Sequence, residues 1–103
     1  MFVAEFGEDY AAKYNLMVPH AMNYKVELKP RAIKDLKELS VADQIRLIAR
    51  IENLKNNLAG DVKRLSKRTP DFRLRVGNYR ILFEVDRDRV IIYRVMHRRN
   101  AYR

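Results

Sequence analysis

The sequence predicts an α+β domain of element order β-α-α-β-β-β. An antiparallel twisted sheet carries an N-terminal αα-hairpin on one face. Three observations point to this. Between residues 30 and 58 apolar residues recur at helical spacing, interrupted once by a capping signal. Between residues 72 and 85 apolar residues alternate with polar ones on both sides of Gly77-Asn78, the pattern of a tight hairpin. Residues 90–96 form a nearly continuous apolar run, as in a strand covered on both faces.

The first strand is "NYKVELK", residues 23–29, with Tyr24, Val26 and Leu28 on one side. Pro30 suits the first turn of a helix reaching about Leu39, in which Ile33, Leu36 and Leu39 are spaced by three. "SVAD" follows. Ser40 is an N-cap and Asp43 stands three residues on, a capping-box-like start. The second helix is expected to run to about Leu58 and to bury Val41, Ile45, Ile48, Ile51, Leu54 and Leu58, with Asn57 and Gly60 as stop signals. Residues 62–70 read as a basic connector. Three strands then follow, the last two joined by "DRDR", residues 86–89.

Residues 1–21 stand apart from this domain, which covers residues 22–103. Phe2, Phe6, Tyr10 and Tyr14 recur every four residues, the spacing of one helix side. Glu5, Glu8 and Asp9 outnumber the single base, Lys13. The segment reads as a leader, a cloning remnant or a docked helix, and is expected to add no function.

The 103 residues carry a formal net charge of +9, and all of the basic excess lies from Met22 on, since residues 1–21 hold three acids against one base. Such a balance favours a polyanionic partner, nucleic acid first. The absence of cysteine excludes a disulfide framework and thiolate metal sites. His20 and His97 lie far apart in sequence, so neither a metal nor a cofactor is expected. No apolar run approaches the roughly 18–20 residues of a membrane span. The expectation is a soluble cytoplasmic protein without membrane contact.

With Gly77-Asn78 as the loop, Val76 faces Tyr79, Arg75 faces Arg80 and Leu74 faces Ile81. The register that turns Phe72, Leu74, Val76, Tyr79, Ile81 and Phe83 toward the core therefore clusters Arg73, Arg75 and Arg80 on the other side. Like charges facing across a ladder are destabilising. Glu84 reads as the sole acid near these arginines. Lys63, Arg64, Lys67 and Arg68 of the connector add positive charge, as do Arg94, Arg98 and Arg99. Arginine suits phosphate because its fork donates two parallel hydrogen bonds. His97 and Tyr102, in the closing "HRRNAYR", can give or take protons that arginine cannot. Beside an arginine cluster they complete the requirements of metal-free phosphodiester cleavage, and Glu84 is a further candidate base.

The element order, "FRLRVGNYRILFEV" and the closing "HRRNAY" together resemble the RelE/ParE superfamily of toxin–antitoxin toxins, the RelE branch most closely. The resemblance spans residues 22–103. It implies a toxin that occupies the ribosomal A site, against 16S rRNA, and cleaves mRNA there without a metal. It also implies a RelB-like antitoxin that wraps and silences it. By position, Arg73 and Arg75 match the two basic residues of the family's second strand. Arg80 matches the arginine of its "YR" motif, Arg98 the basic residue after the last strand and Tyr102 the tyrosine that closes the site. The resemblance gives the arginines substrate orientation and transition-state stabilisation. Some relatives carry lysine where this chain has Arg73 and Arg75; an arginine cannot serve as base, so that role passes to His97, Tyr102 or Glu84. A ParE-like inhibitor of DNA gyrase and a non-catalytic nucleic-acid-binding module are the alternative readings.

Overall fold

The structure, a computed structural model, describes residues 23–65 and 69–101, with residues 100 and 101 described in backbone only. Strand β1 (Lys25–Leu28) leads into helices α1 (Pro30–Lys37) and α2 (Val41–Asn53). Strands β2 (Asp61–Arg64), β3 (Phe72–Val76), β4 (Tyr79–Asp86) and β5 (Arg89–His97) follow, and the four-residue helix α3 (Arg98–Ala101) ends the described chain. The sheet order is β1-β5-β4-β3-β2. The α+β class and the β-α-α-β-β-β succession hold, with one more strand. No helix among the described residues is long and apolar enough to cross a membrane.

Local chemistry accounts for the helix limits. Pro30 occupies the first turn of α1, where its missing N–H costs nothing. The Glu38 and Leu39 amides fold back onto the carbonyls of Asp35 and Leu36, so α1 closes two residues before the expected Leu39. Ser40 caps α2, its Oγ accepting from the Asp43 N–H at 3.2 Å. After α2 the backbone turns left-handed at Asn57 (φ 55°), Leu58 (φ 57°) and Gly60 (φ 131°). Gly60 has a second reason to lack a side chain: a Cβ there would stand 2.8 Å from Leu74 Cδ1.

Leu47, Leu54, Leu74, Ile81, Phe83, Val90 and Ile92 are the largest fully buried side chains. Each contributes about 1.5–3 kcal/mol by leaving water. Phe72 stacks on Phe83 with ring centres 5.4 Å apart. The helices lie over this side of the sheet.

Four expectations need correction. The buried stripe of α2 is Leu47, Ile51 and, just past its end, Leu54, whereas Val41, Ile45 and Ile48 are 70%, 66% and 44% exposed. In α1, Ala32 and Leu36 are buried and Ile33 is 41% exposed. The connector holds a strand, β2, which pairs antiparallel with β3. The sheet is mixed, because β1 pairs parallel with β5. The helical hairpin carries the chain across the sheet between β1 and the remaining strands, and such a crossover permits parallel pairing. Strand β5 thus has neighbours on both sides, β1 and β4.

One bulge interrupts the ladder. Phe83 pairs with Ile92 and Leu82 with Arg94, so Tyr93 is an extra residue in β5. The bulge lets Ile92 and Val95, three apart, both face the core. Leu47→Ala should lower unfolding stability by about 2–5 kcal/mol in chemical denaturation. Arg50→Ala, at an exposed position of the same helix, should change it by less than about 0.5 kcal/mol.

Candidate functional site

The expected hairpin register is present. Val76 pairs with Tyr79, Arg75 with Arg80, Leu74 with Ile81 and Arg73 with Leu82. Gly77 takes φ 57° at the turn, where a side chain would be strained. Directly opposed residues share a face of the sheet. Arg73, Arg75 and Arg80 therefore stand together on the side away from α1 and α2. Strand β2 extends this face, setting Lys63 opposite Arg73 and Asp61 opposite Arg75. Asp61 corrects the expectation that Glu84 is the sole acid nearby; it offsets part of the repulsion that Arg75 meets from Arg80.

The three arginines differ in exposure. Arg80 is 6% exposed, and its Nη1 donates to the carbonyls of Gly77 (3.3 Å) and Tyr79 (3.1 Å). The turn thus holds this guanidinium in place. Arg73 is half-buried, and its Nη1 is buried without a hydrogen bond to any described residue. A buried donor left unsatisfied costs stability, and an anionic acceptor relieves that cost. Arg75 is exposed between them. Arg98 begins α3, and its N–H donates to the Asn78 carbonyl at 2.6 Å. The hairpin turn and the start of α3 are thereby tied together at the Arg75–Arg80 end of the face.

The candidate proton-transfer residues do not share this position. His97 pairs with Tyr79, which puts it on the helix side of the sheet. Its ring meets the Tyr79 ring edge-on, 5.4 Å between centres, and its Nδ1 accepts from the Arg99 N–H at 3.3 Å. Glu84 lies on the arginine side, four residues along β4 from Arg80, or about 13 Å by strand rise. Its Oε1 accepts from the Tyr93 hydroxyl at 2.7 Å. The Glu84 hydrogen bond, then burial, then the Glu84 charge push the Tyr93 phenol above its ordinary pKa. Burial first, and the Asp43 carboxylate next, push Tyr79 up likewise, so both phenols stay protonated.

Other basic residues also separate. Arg94 is held by Asp35, with Nε at 2.8 Å and Nη2 at 3.4 Å. Asp35 also accepts from the Val95 N–H (2.9 Å) and Arg31 Nε (3.4 Å). This 9%-exposed carboxylate joins α1 to β5 next to the bulge. Arg64 pairs with Phe72 in the ladder, on the core side, where its guanidinium lies 5.8 Å from the Phe72 ring centre and 3.7 Å from Asp71. Arg99 is exposed at the start of α3. Lys67, Arg68 and Tyr102 lie outside the described residues, as do residues 1–21. Between α1 and the adjoining ends of β4 and β5 is a groove of about 320 Å³ lined by Arg31, Asp35, Glu38, Tyr79, Arg94 and His97 among others. Its two acids, and two arginines that are both engaged by Asp35, suit an anion poorly. Among the described residues no group of three His, Asp or Glu converges as a metal site. Asp61 and Asp35 were missed in the sequence, where the only signal for Asp35 is its i,i+4 spacing from Arg31.

A sequence profile for the ParE toxin of the type II toxin–antitoxin system, parDE, matches residues 26–102. The chain is 37% identical over 83 residues to Toxin RelE3 of Methanocaldococcus jannaschii, covering 76% of this chain and 94% of that one. The fold matches the RelB–RelE antitoxin–toxin complex from Methanococcus jannaschii with a TM-score of 0.62 at 34% identity, over 73% of this chain and 93% of that one. It also matches the toxin–antitoxin complex RelBE2 from Mycobacterium tuberculosis with a TM-score of 0.67 at 26% identity, over 74% and 99%.

Two outcomes follow from these contacts. Burial alone would raise the Asp35 pKa, but the Arg94 hydrogen bond, the Val95 amide, the Arg94 charge and Arg31 together hold it below the ordinary carboxylate value. A depressed folded pKa means that the unfolded chain takes up the proton first as pH falls. The Asp35 contribution is therefore complete above the unfolded value near 3.9 and is lost as pH drops through the folded value. Asp35→Asn should cost about 3 kcal/mol at pH 7, and its stability should depend less on pH below about 4 than that of the parent chain. Arg75→Gln should alter stability by less than about 0.5 kcal/mol, since Asp61 and Arg80 act on it with opposite sign.

Proposed function

This chain belongs to the ParE toxin family of type II toxin–antitoxin systems, within the RelE/ParE superfamily, and from that premise we propose that it is a ribosome-dependent endoribonuclease that cuts mRNA in the A site. The observation that carries this reading is the cationic face of Lys63, Arg73, Arg75 and Arg80, with Arg98 tied to its turn end. Phosphate is the anion that such a set of forked donors fits best.

The proposed reaction is transesterification. The RNA 2′-hydroxyl loses its proton to a base and its oxygen bonds to the adjacent phosphorus. The P–O5′ bond breaks, and an acid protonates the departing 5′-oxygen. The products are a 2′,3′-cyclic phosphate and a 5′-hydroxyl end. Negative charge gathers on the phosphoryl oxygens in the transition state, and preorganised guanidiniums stabilise it where it forms. Arg80, held by two carbonyls, meets that requirement with little reorganisation. Arginine stays charged and moves no proton. His97 lies on the helix side and Glu84 along β4, apart from the arginine cluster, so of the three candidates we assign proton transfer to Tyr102.

The archaeal and mycobacterial relatives are complexes of RelE with RelB. We propose that a RelB-like antitoxin likewise neutralises this chain, presenting acidic and apolar residues to it. Action on ribosomes would place the protein in the cytoplasm. The profile match to ParE favours one further reading, inhibition of DNA gyrase on the same fold.

Cell-free translation separates the two readings. With purified protein added, primer extension should reveal mRNA 5′ ends within A-site codons. Arg80→Ala should lower that cleavage by about 100-fold, while His97→Ala lowers it far less. Tyr102→Phe should impair cleavage more than antitoxin binding. Intact mRNA together with blocked supercoiling would identify a gyrase inhibitor instead.

A further inference from the structure

Val41, Ile45 and Ile48 form an i, i+4, i+7 stripe on the exposed side of α2, with Ile33 of α1 also exposed. Four large apolar residues on one pair of helices exceed the scattered exposure of an ordinary surface. They contribute nothing to the core, which α2 reaches through Leu47 and Ile51.

The chain itself supplies a segment that fits. Asn23 bridges Asn56, and the Tyr24 N–H donates to the Lys55 carbonyl at 2.9 Å. The path of residues 1–22 therefore joins the described domain just beyond the C-terminal end of the helix that bears the stripe. Lys55 lies seven residues past Ile48, about 10 Å along a helix axis. Residues 15–22 can span about 26 Å when extended, ample for that distance. Ahead of them, Phe2, Phe6, Tyr10 and Tyr14 recur every four residues. At helical rise they would cover about 18 Å, longer than the stripe from Val41 to Ile48. The charges are complementary. Glu5, Glu8 and Asp9 accompany the aromatic residues, while on the helix pair the exposed bases Arg31, Lys34, Lys37, Arg46 and Arg50 outnumber the exposed acids Glu38 and Glu52.

We propose that residues 1–22 of the same chain dock on the exposed apolar face of α2, with the aromatic repeat against Val41, Ile45 and Ile48. The stripe is then an intramolecular interface, and the N-terminal segment shields it from other molecules. This does not depend on the ribonuclease reading.

Paramagnetic broadening in the full chain tests the proposal. The protein has no cysteine, so a single introduced one takes the spin label. Ala49→Cys labels the exposed surface beside the stripe. Asp88→Cys is the control, because the Asp88 carbonyl accepts from the Lys25 N–H at 2.7 Å and so lies as near the root of the segment. The docked segment should lose its residue 2–14 amide signals with the label at 49 and keep them with the label at 88. Adding Ile45→Asp to the Ala49→Cys chain should restore the signals. Equal broadening from both labels would show an undocked tether and overturn the proposal. So would broadening that appears only between labelled and unlabelled molecules in a mixture, which would make a second copy the occupant.

Discussion

The register of the β3–β4 hairpin is the constraint on which the remaining structure depends. Leu74, Ile81 and Phe83 have no exposed surface, and Leu74 pairs directly with Ile81. A slip of one residue would turn this apolar set to solvent and bring arginines against the helices. The loss would amount to several buried side chains at about 1.5–3 kcal/mol each. Repulsion between two arginines on the far face, at most about 1 kcal/mol, cannot compete. The core therefore dictates that Arg75 faces Arg80. The β5 bulge extends the same logic, since it keeps Ile92 and Val95 inward and leaves the Val95 amide for Asp35.

A face organised in this way separates stability from function. The residues that set its geometry are apolar and lie on the other side of the sheet. Of the charged residues, Arg80 is held by two carbonyls at the turn. Asp61 moderates the charge without occupying the centre of the face. The same division explains why relatives at 26–34% identity share the fold: alternation and turn chemistry suffice to specify it.

What the sequence made legible follows the strength of its local signals. The hairpin was readable because seven apolar positions alternate around a turn that demands a positive φ. The Ser40 cap was readable because its hydroxyl acts within three residues. Strand β2 was hidden because "DVKR" contains one apolar residue, Val62, among charges. The α2 stripe was misread because two apolar sets share the helix. Val41, Ile45 and Ile48 have helical spacing as good as that of Leu47, Ile51 and Leu54, and only docking on the sheet chooses between them. Parallel pairing of β1 with β5 and the Asp35–Arg94 contact join residues about 60 positions apart, beyond any local pattern. In the candidate site the arginine cluster was legible through the register, whereas the position of His97 depended on pairing across β4 and β5.

In the proposed reaction Arg75 and Arg80 serve one scissile phosphate as a unit. A double-mutant cycle on single-turnover mRNA cleavage in programmed ribosomes tests it most directly. Arg75→Gln, Arg80→Gln and the double variant would be compared with the parent chain. Residues acting on one group are strongly non-additive. Joint action on one phosphate predicts a double variant that loses far less than the product of the two single losses. A loss equal to that product would assign the arginines to separate, independent contacts and rule out joint action.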